Sequence, residues 1–298
     1  MGAELQTWAG LPVTVHAPLA ARDRHVAVLY LHGGGLVYGE RDDLPTAYVR
    51  LFTGAGYTLV CMDYPLAPET PLVEILDAAW TGLCEHVLAP VAAGTYAGYF
   101  LFGRSSGAYL ALQLAARARR ERASGALAGA GLPQPFGVLD FYGYPGMREK
   151  AFMEPAKAYT ALPAVDAAQV ERIVGTAPVT SGPKALRYAI YVHGRQSRGA
   201  WLGLLGLLRE DGTVDERLMD ACSLSADDVA ALPPLFITAS STDEDVPFRA
   251  SKTLSRQAPQ AVMKPVYYLP HDFDRDVGDP TGRRIYQDAL AWMDGLVL

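Results

Sequence analysis

The sequence predicts an α/β protein: a mostly parallel sheet with helices on both faces, and a helical segment inserted before the strand that carries a candidate acid. Three observations predict it. Short, near-continuously apolar runs recur along the chain, as expected of strands covered on both faces. Text with helical periodicity alternates with these runs. The chain has 298 residues, 50% hydrophobic and 19% charged, which is enough to bury a large core.

The elements follow in order. "HVAVLYL" (His25–Leu31) and "YTLVCMDY" (Tyr57–Tyr64) read as buried strands, and "TPLVEILDAAWTGLCEHV" as the helix after them. "GYFLF" (Gly98–Phe102) is a strand leading into the helical "SGAYLALQLAARARRERA", and "FGVLDFYG" (Phe136–Gly143) is the next strand. From Gly146 to Leu232 the rhythm breaks. No strand-like run occurs there, two prolines interrupt "MEPAKAYTALPAVDAAQV", and "ALRYAIYVHGRQSRGAWLGLLGLLRE" is helix-like. Residues 146–232 are therefore expected to form a helical cap within a single domain spanning 1–298, with Ser225 capping a short helix. "PLFITAS" (Pro234–Ser240) and "PVYYLP" (Pro265–Pro270) complete the expected strands. "PFRASKTLSRQA" and "GRRIYQDALAWMDGLV" are the last helices.

Composition excludes several classes. A net charge of −6 gives no general attraction to nucleic acid or to an anionic membrane. The one basic run, "RARRER" (Arg117–Arg122), falls late in a helix, where cations suit the helix terminus. Cys61, Cys84 and Cys222 are odd in number, widely spaced and without a CxxC pair, so neither a disulfide framework nor a zinc site is expected. No metal or other cofactor is called for. The start, "MGAELQTWAGLPVTVHAP", has neither a secretory pattern nor a myristoylation signal, and no apolar run approaches about 18 residues. A cytoplasmic protein is expected, with a small-molecule substrate, and a homodimer stays open.

Chemistry concentrates in three places. Gly103-Arg104-Ser105-Ser106-Gly107 fits G-x-S-x-G at a strand-to-helix junction, the setting of a nucleophile elbow. The turn needs small residues two before and two after the nucleophile. Ser105 has glycine at both offsets, whereas Ser106 has Arg104 and Ala108. "HGGGLVYG" (His32–Gly39) follows the first strand, and its amides can bind an anion together with the amide of Ser106. Gly34 and Gly35 are the candidate donors, although the sequence does not fix which two glycines face the ligand. The alternative, a phosphate cradle, lacks any accompanying GxxxxGK or GxGxxG. His271 in "YLPHDFD" follows the last strand, and Asp243 and Asp245 both follow "ITAS". The order serine, aspartate, histidine, each just past a strand end, places all three at one edge of a parallel sheet. Position alone allows either; Asp243 precedes Val246-Pro247 as D-x-x-V-P, which resembles the acid loop of many α/β-hydrolases, and this favours Asp243 as the acid. Asp245, close to the start of the following helix, is then expected to cap it or to favour its dipole.

With HGGGxxxG, "DYPLAPE" (Asp63–Glu69), the elbow and "HDFD", the chain from about residue 26 to the C-terminus, the 146–232 insertion excepted, resembles the α/β-hydrolases of the hormone-sensitive-lipase-like esterase group. The resemblance implies cofactor-free hydrolysis of carboxylic esters with short acyl chains. Ser105 is then the nucleophile, His271 the base and Asp243 its orienting acid, while Asp63 and Glu69 are structural. Three features depart from the group: Arg104 stands where it usually has an acid (GDSAG), Pro65 replaces the arginine of DYRLAPE, and about 31 residues precede HGGG, so the 146–232 insertion takes the place of an N-terminal cap. A peptidase or acyltransferase with the same triad, or a non-catalytic binding protein on the same fold, are the competing readings.

Overall fold

A computed structural model describes residues 8–125 and 131–297; Met1–Thr7, at the start of the opening stretch, lie outside the described residues. Seven strands, β1 (Val13–His16), β2 (Val26–Leu31), β3 (Thr58–Met62), β4 (Gly98–Arg104), β5 (Val138–Phe141), β6 (Leu235–Thr238) and β7 (Ala261–Met263), form one sheet in the order β1-β3-β2-β4-β5-β6-β7. Among the described strands only β1 runs antiparallel, against β3. The parallel register brings Leu31 opposite Gly103, and Arg104 opposite Phe141. Strand order reverses between β2 and β4, so the loops leaving these neighbours diverge and open a crevice at their carboxyl ends.

The pleat sorts β2 between two cores. Ala27, Leu29 and Leu31 face one, where Tyr109, Leu112 and Trp201 are also buried. Val26, Val28 and Tyr30 face the other, with Phe52 and Tyr286. Helices Leu72–Leu83 and Ser106–Ser124 cover the first face, and Thr46–Gly54 and Pro280–Val297 the second.

Two readings of the sequence need correction. "PVYYLP" is not a strand. β7 lies upstream at Ala261–Met263, and Val266 makes only an isolated bridge to Ser240. Pro265 and Pro270 remove two donors, and Tyr267 and Tyr268 turn out to solvent at 60% and 85% exposure. The helix in "TPLVEILDAAWTGLCEHV" is regular only over Leu72–Leu83, after which Cys84–Leu88 widens into a π-turn. Strand β1 and helix Thr46–Gly54 have no counterpart in the sequence reading.

Between β5 and β6 the described residues hold no strand, only short helices and one isolated bridge, Leu208 to Val214. The longest helix is Lys184–Gln196, followed by Ala200–Leu204. Ser225 caps Ala226–Ala230 in a capping box with Asp228.

Candidate active site

Strand β4 ends at Arg104, and the helix that follows begins at Ser106. Ser105 between them has φ 54° and ψ −122°, a strained conformation for a residue with a Cβ. The turn is so tight that a Cβ on Gly107 would lie 2.1 Å from the Leu31 carbonyl oxygen, and one on Gly103 would lie 2.1 Å from Gly107 itself. Ser105 is 9% exposed and Ser106 fully buried.

His271 Nε2 lies 2.8 Å from Ser105 Oγ, and His271 Nδ1 lies 2.6 Å from Asp243 Oδ2. The other oxygen of Asp243 accepts the amides of Asp245 (2.9 Å) and Val246 (2.8 Å). One loop turn thus fixes the carboxylate that faces the imidazole. Burial lowers the His271 pKa, but the carboxylate of Asp243, helped by those of Asp245 and Asp272, more than offsets this and raises it to about 9.

Asp245 does not cap the next helix, as its position suggested; Pro247 holds the N-cap place. Its carboxylate turns instead toward the β5–β6 segment. It accepts the hydroxyls of Tyr159 and Tyr191, both at 2.9 Å, and lies 3.4 Å from Arg195 Nε. The two carboxylates thus have different partners: Asp243 bonds the histidine, and Asp245 bonds the tyrosines of the helical segment.

The His32–Gly39 loop leaves β2 beside the elbow. Gly34 accepts the amides of Val37 and Tyr38, both at 3.0 Å. Gly35 has φ 59°, and a Cβ there would meet the Tyr191 ring at 2.0 Å. Trp201 Nε1 donates to the Gly35 carbonyl at 2.9 Å. Among the described residues, no acceptor takes the amides of Gly34, Gly35 or Ser106.

Helix Lys184–Gln196 reaches the site with residues spaced four apart, a pattern the sequence reading missed. Arg187 grips both Glu69 oxygens (2.7 and 2.8 Å) and donates to the Val37 and Ala67 carbonyls. Tyr191 covers Gly35 and bonds Asp245, and Arg195 also donates to the Asp245 carbonyl. The spacing was legible as helical. Its polar partners were not, because Glu69 lies 118 residues away. Asp63 accepts the Arg41 amide at 2.7 Å and pairs with its guanidinium just past the glycine loop.

A cleft of about 360 Å³ opens beside His271, lined by Tyr159, Asp245, Tyr268 and Asp272 among others. Among the described residues, no group of three or more His, Cys, Asp or Glu could hold a metal ion, and no helix is long and apolar enough to cross a membrane.

Residues 28–185 match the family described as alpha/beta hydrolase fold. A solved α/β hydrolase superfamily protein from Enterococcus faecalis superposes with a TM-score of 0.76 at 33% identity, over 94% of this chain and 93% of that one. A Staphylococcus aureus protein of unknown function superposes with a TM-score of 0.81 at 26% identity, over 97% and 95% of the two chains. A carboxylesterase of Mycobacterium tuberculosis is 37% identical over 73 residues, a match that spans 24% of this chain and 23% of that enzyme. With its parallel sheet, its serine elbow at the end of β4 and the family match over more than half its length, the chain belongs to the α/β-hydrolase fold family.

Proposed function

We propose that this protein hydrolyses carboxylic esters, short-chain ones foremost, through an acyl-enzyme on Ser105. The observation that carries the reading is the hydrogen-bonded line Ser105–His271–Asp243 beside the glycine loop. In the proposed reaction Ser105 Oγ attacks the ester carbonyl while His271 Nε2 takes its proton. The new C–O bond places negative charge on the carbonyl oxygen, which the amides of Ser106 and of Gly34 or Gly35 receive. His271 then protonates the departing alcohol as the C–O bond to it breaks. Water, deprotonated by the same nitrogen, releases the acid and restores Ser105. Asp243 keeps Nδ1 protonated and offsets the charge on the imidazolium.

Residues 146–232 act as a cap in this reading. Ala158 and Tyr159 of this segment line the cleft of about 360 Å³ beside His271, and Tyr191 packs against Gly35 of the glycine loop. The partner is a small-molecule ester. Three free thiols, two of them buried, support a reducing compartment, the cytoplasm. A panel of aryl esters of graded acyl length, run with wild type and Ser105→Ala, tests the proposal. Turnover that declines with acyl length and vanishes in the variant is expected. Equal turnover by the variant overturns it.

A further inference from the structure

Arg104 is the residue next to the nucleophile, and it departs from the acidic residue usual in the esterase group that the sequence resembles. Its side chain is buried, and so is that of Asp274, three residues past His271. Arg104 Nη2 donates to Asp274 Oδ1 at 3.0 Å, and Arg104 Nε donates to the Tyr142 hydroxyl at 2.7 Å. That hydroxyl donates in turn to Asp274 Oδ1 at 2.7 Å. Tyr286 donates to the other Asp274 oxygen at 2.8 Å, and Tyr48 to the Asp274 carbonyl at 2.9 Å. Arg104 also reaches Asp43, at 3.4 Å.

We propose that Arg104 and Asp274, with Tyr142 between them, are positioning residues that set the distance and angle between Ser105 and His271; this rests on the hydrolase reading above. The connections form a closed ring. Arg104 is covalently joined to Ser105, Arg104 bonds Asp274, the backbone runs from Asp274 back to His271, and His271 bonds Ser105. The histidine loop is thus held at both ends. Upstream, the Ser240 and Thr242 hydroxyls hold the Leu269 carbonyl; downstream, Arg104, Tyr142 and Tyr286 hold Asp274. Between these anchors the His271 side chain bonds, among the described residues, only Ser105 and Asp243, and the edge of Tyr142 packs on its ring at 4.7 Å between centroids.

Energetics favour this role over simple stabilisation. The desolvation of a buried ion pair largely offsets its attraction, so net stability is a poor reason for one. Geometry is a better reason, since the guanidinium fork fixes direction as well as distance. Burial pushes the Asp274 carboxyl up, but Arg104 and the tyrosine hydroxyls overcome it and hold the group below the usual carboxylate range. It is therefore an ionised acceptor. The exchange of acid for arginine at position 104 thereby gains a partner, the second aspartate of "HDFD".

The test uses Asp274→Asn, Arg104→Lys and Tyr142→Phe. The last removes the linking hydroxyl without stranding a charge and serves if the others do not fold. For each variant, kcat, KM, the melting temperature and the His271 Nδ1 proton resonance are measured. The expected result is kcat lower by about 10- to 100-fold with KM within about twofold, and a shifted or broadened resonance, because small misplacements of reacting groups cost that much. Folded variants that melt earlier but keep wild-type kcat and an unchanged resonance overturn the proposal, since that is what a purely structural pair predicts. A wild type that turns over no ester, while its resonance moves on substitution, counts against the esterase reading and for the positioning.

Discussion

Asp243 and Asp245, two residues apart, hold different partners. Asp243 lies 2.6 Å from His271 Nδ1, whereas Asp245 accepts two tyrosine hydroxyls from the helical segment. Asp243→Asn is therefore expected to lower kcat by about 10⁴, the loss seen when an imidazole loses its orienting anion, while the fold persists. Asp245→Asn leaves the imidazole partner in place, so its loss of rate is expected to be far smaller and its main effect is on stability. Steady-state kinetics with melting curves for both variants check this, and an inactive Asp245→Asn beside an active Asp243→Asn contradicts it.

The Arg187–Glu69 pair ties the helical segment to the body from almost complete burial, with side-chain exposures of 5% and 2%. Removing one partner of such a pair costs about 3–5 kcal/mol because the other charge is stranded. Glu69→Gln is expected to lose that much in a urea unfolding experiment. It should also disturb the glycine loop, since Arg187 holds the Val37 carbonyl. A loss under about 1 kcal/mol rules out the anchoring role.

His271 must be neutral to accept a proton, and its pKa is raised to about 9 from a reference near 6.5 by the carboxylates around it. The sequence alone suggests an acid limb near the reference. The structure places it higher, so kcat/KM should fall as pH drops through about 9. Asp272→Asn removes one of the raising charges and is expected to shift the limb to lower pH. The stability contributed by the charged pair is full below about 6.5 and is lost as pH rises through about 9. A rate profile flat between about pH 6 and 9 contradicts His271 as base.

Asp140 is fully buried at the end of β5, with one oxygen on the Gly143 amide at 2.8 Å and the other unpartnered among the described residues. Burial, only partly countered by that amide, raises its pKa to about 7. The unfolded carboxyl ionises near 3.9, so stability is full below that pH and is lost as pH rises through about 7. Asp140→Asn is expected to match wild type near pH 4 and to melt higher near pH 8. An equal difference at both pH values contradicts this.

What the sequence made legible was local. The runs that became β2 to β6 are apolar on both faces, and the elbow, the glycine loop, Asp243 and His271 follow strand ends, so a parallel sheet gathers them. β1 escaped because its four residues are half-exposed and lack that apolar continuity. β7 was misplaced because "PVYYLP" is richer in strand-forming residues than "AVM", while the prolines that disqualify it were read as its boundaries. The partners that fix the site escaped for another reason. Arg104 meets Asp274 across 170 residues, and Trp201 meets Gly35 across 166. No periodicity links residues so far apart; only the packed sheet brings them together.

The central claim is that Ser105 is the nucleophile, and intact-protein mass spectrometry after exposure to a fluorophosphonate, paired with turnover of a short aryl ester, tests it most directly. The account predicts that wild type gains one phosphonyl group on Ser105 and hydrolyses the ester with chelator present. Ser105→Ala should do neither, and Ser106→Ala should do both, because only the backbone amide of that position is used. Undiminished turnover in Ser105→Ala, or activity that a chelator removes, contradicts the account.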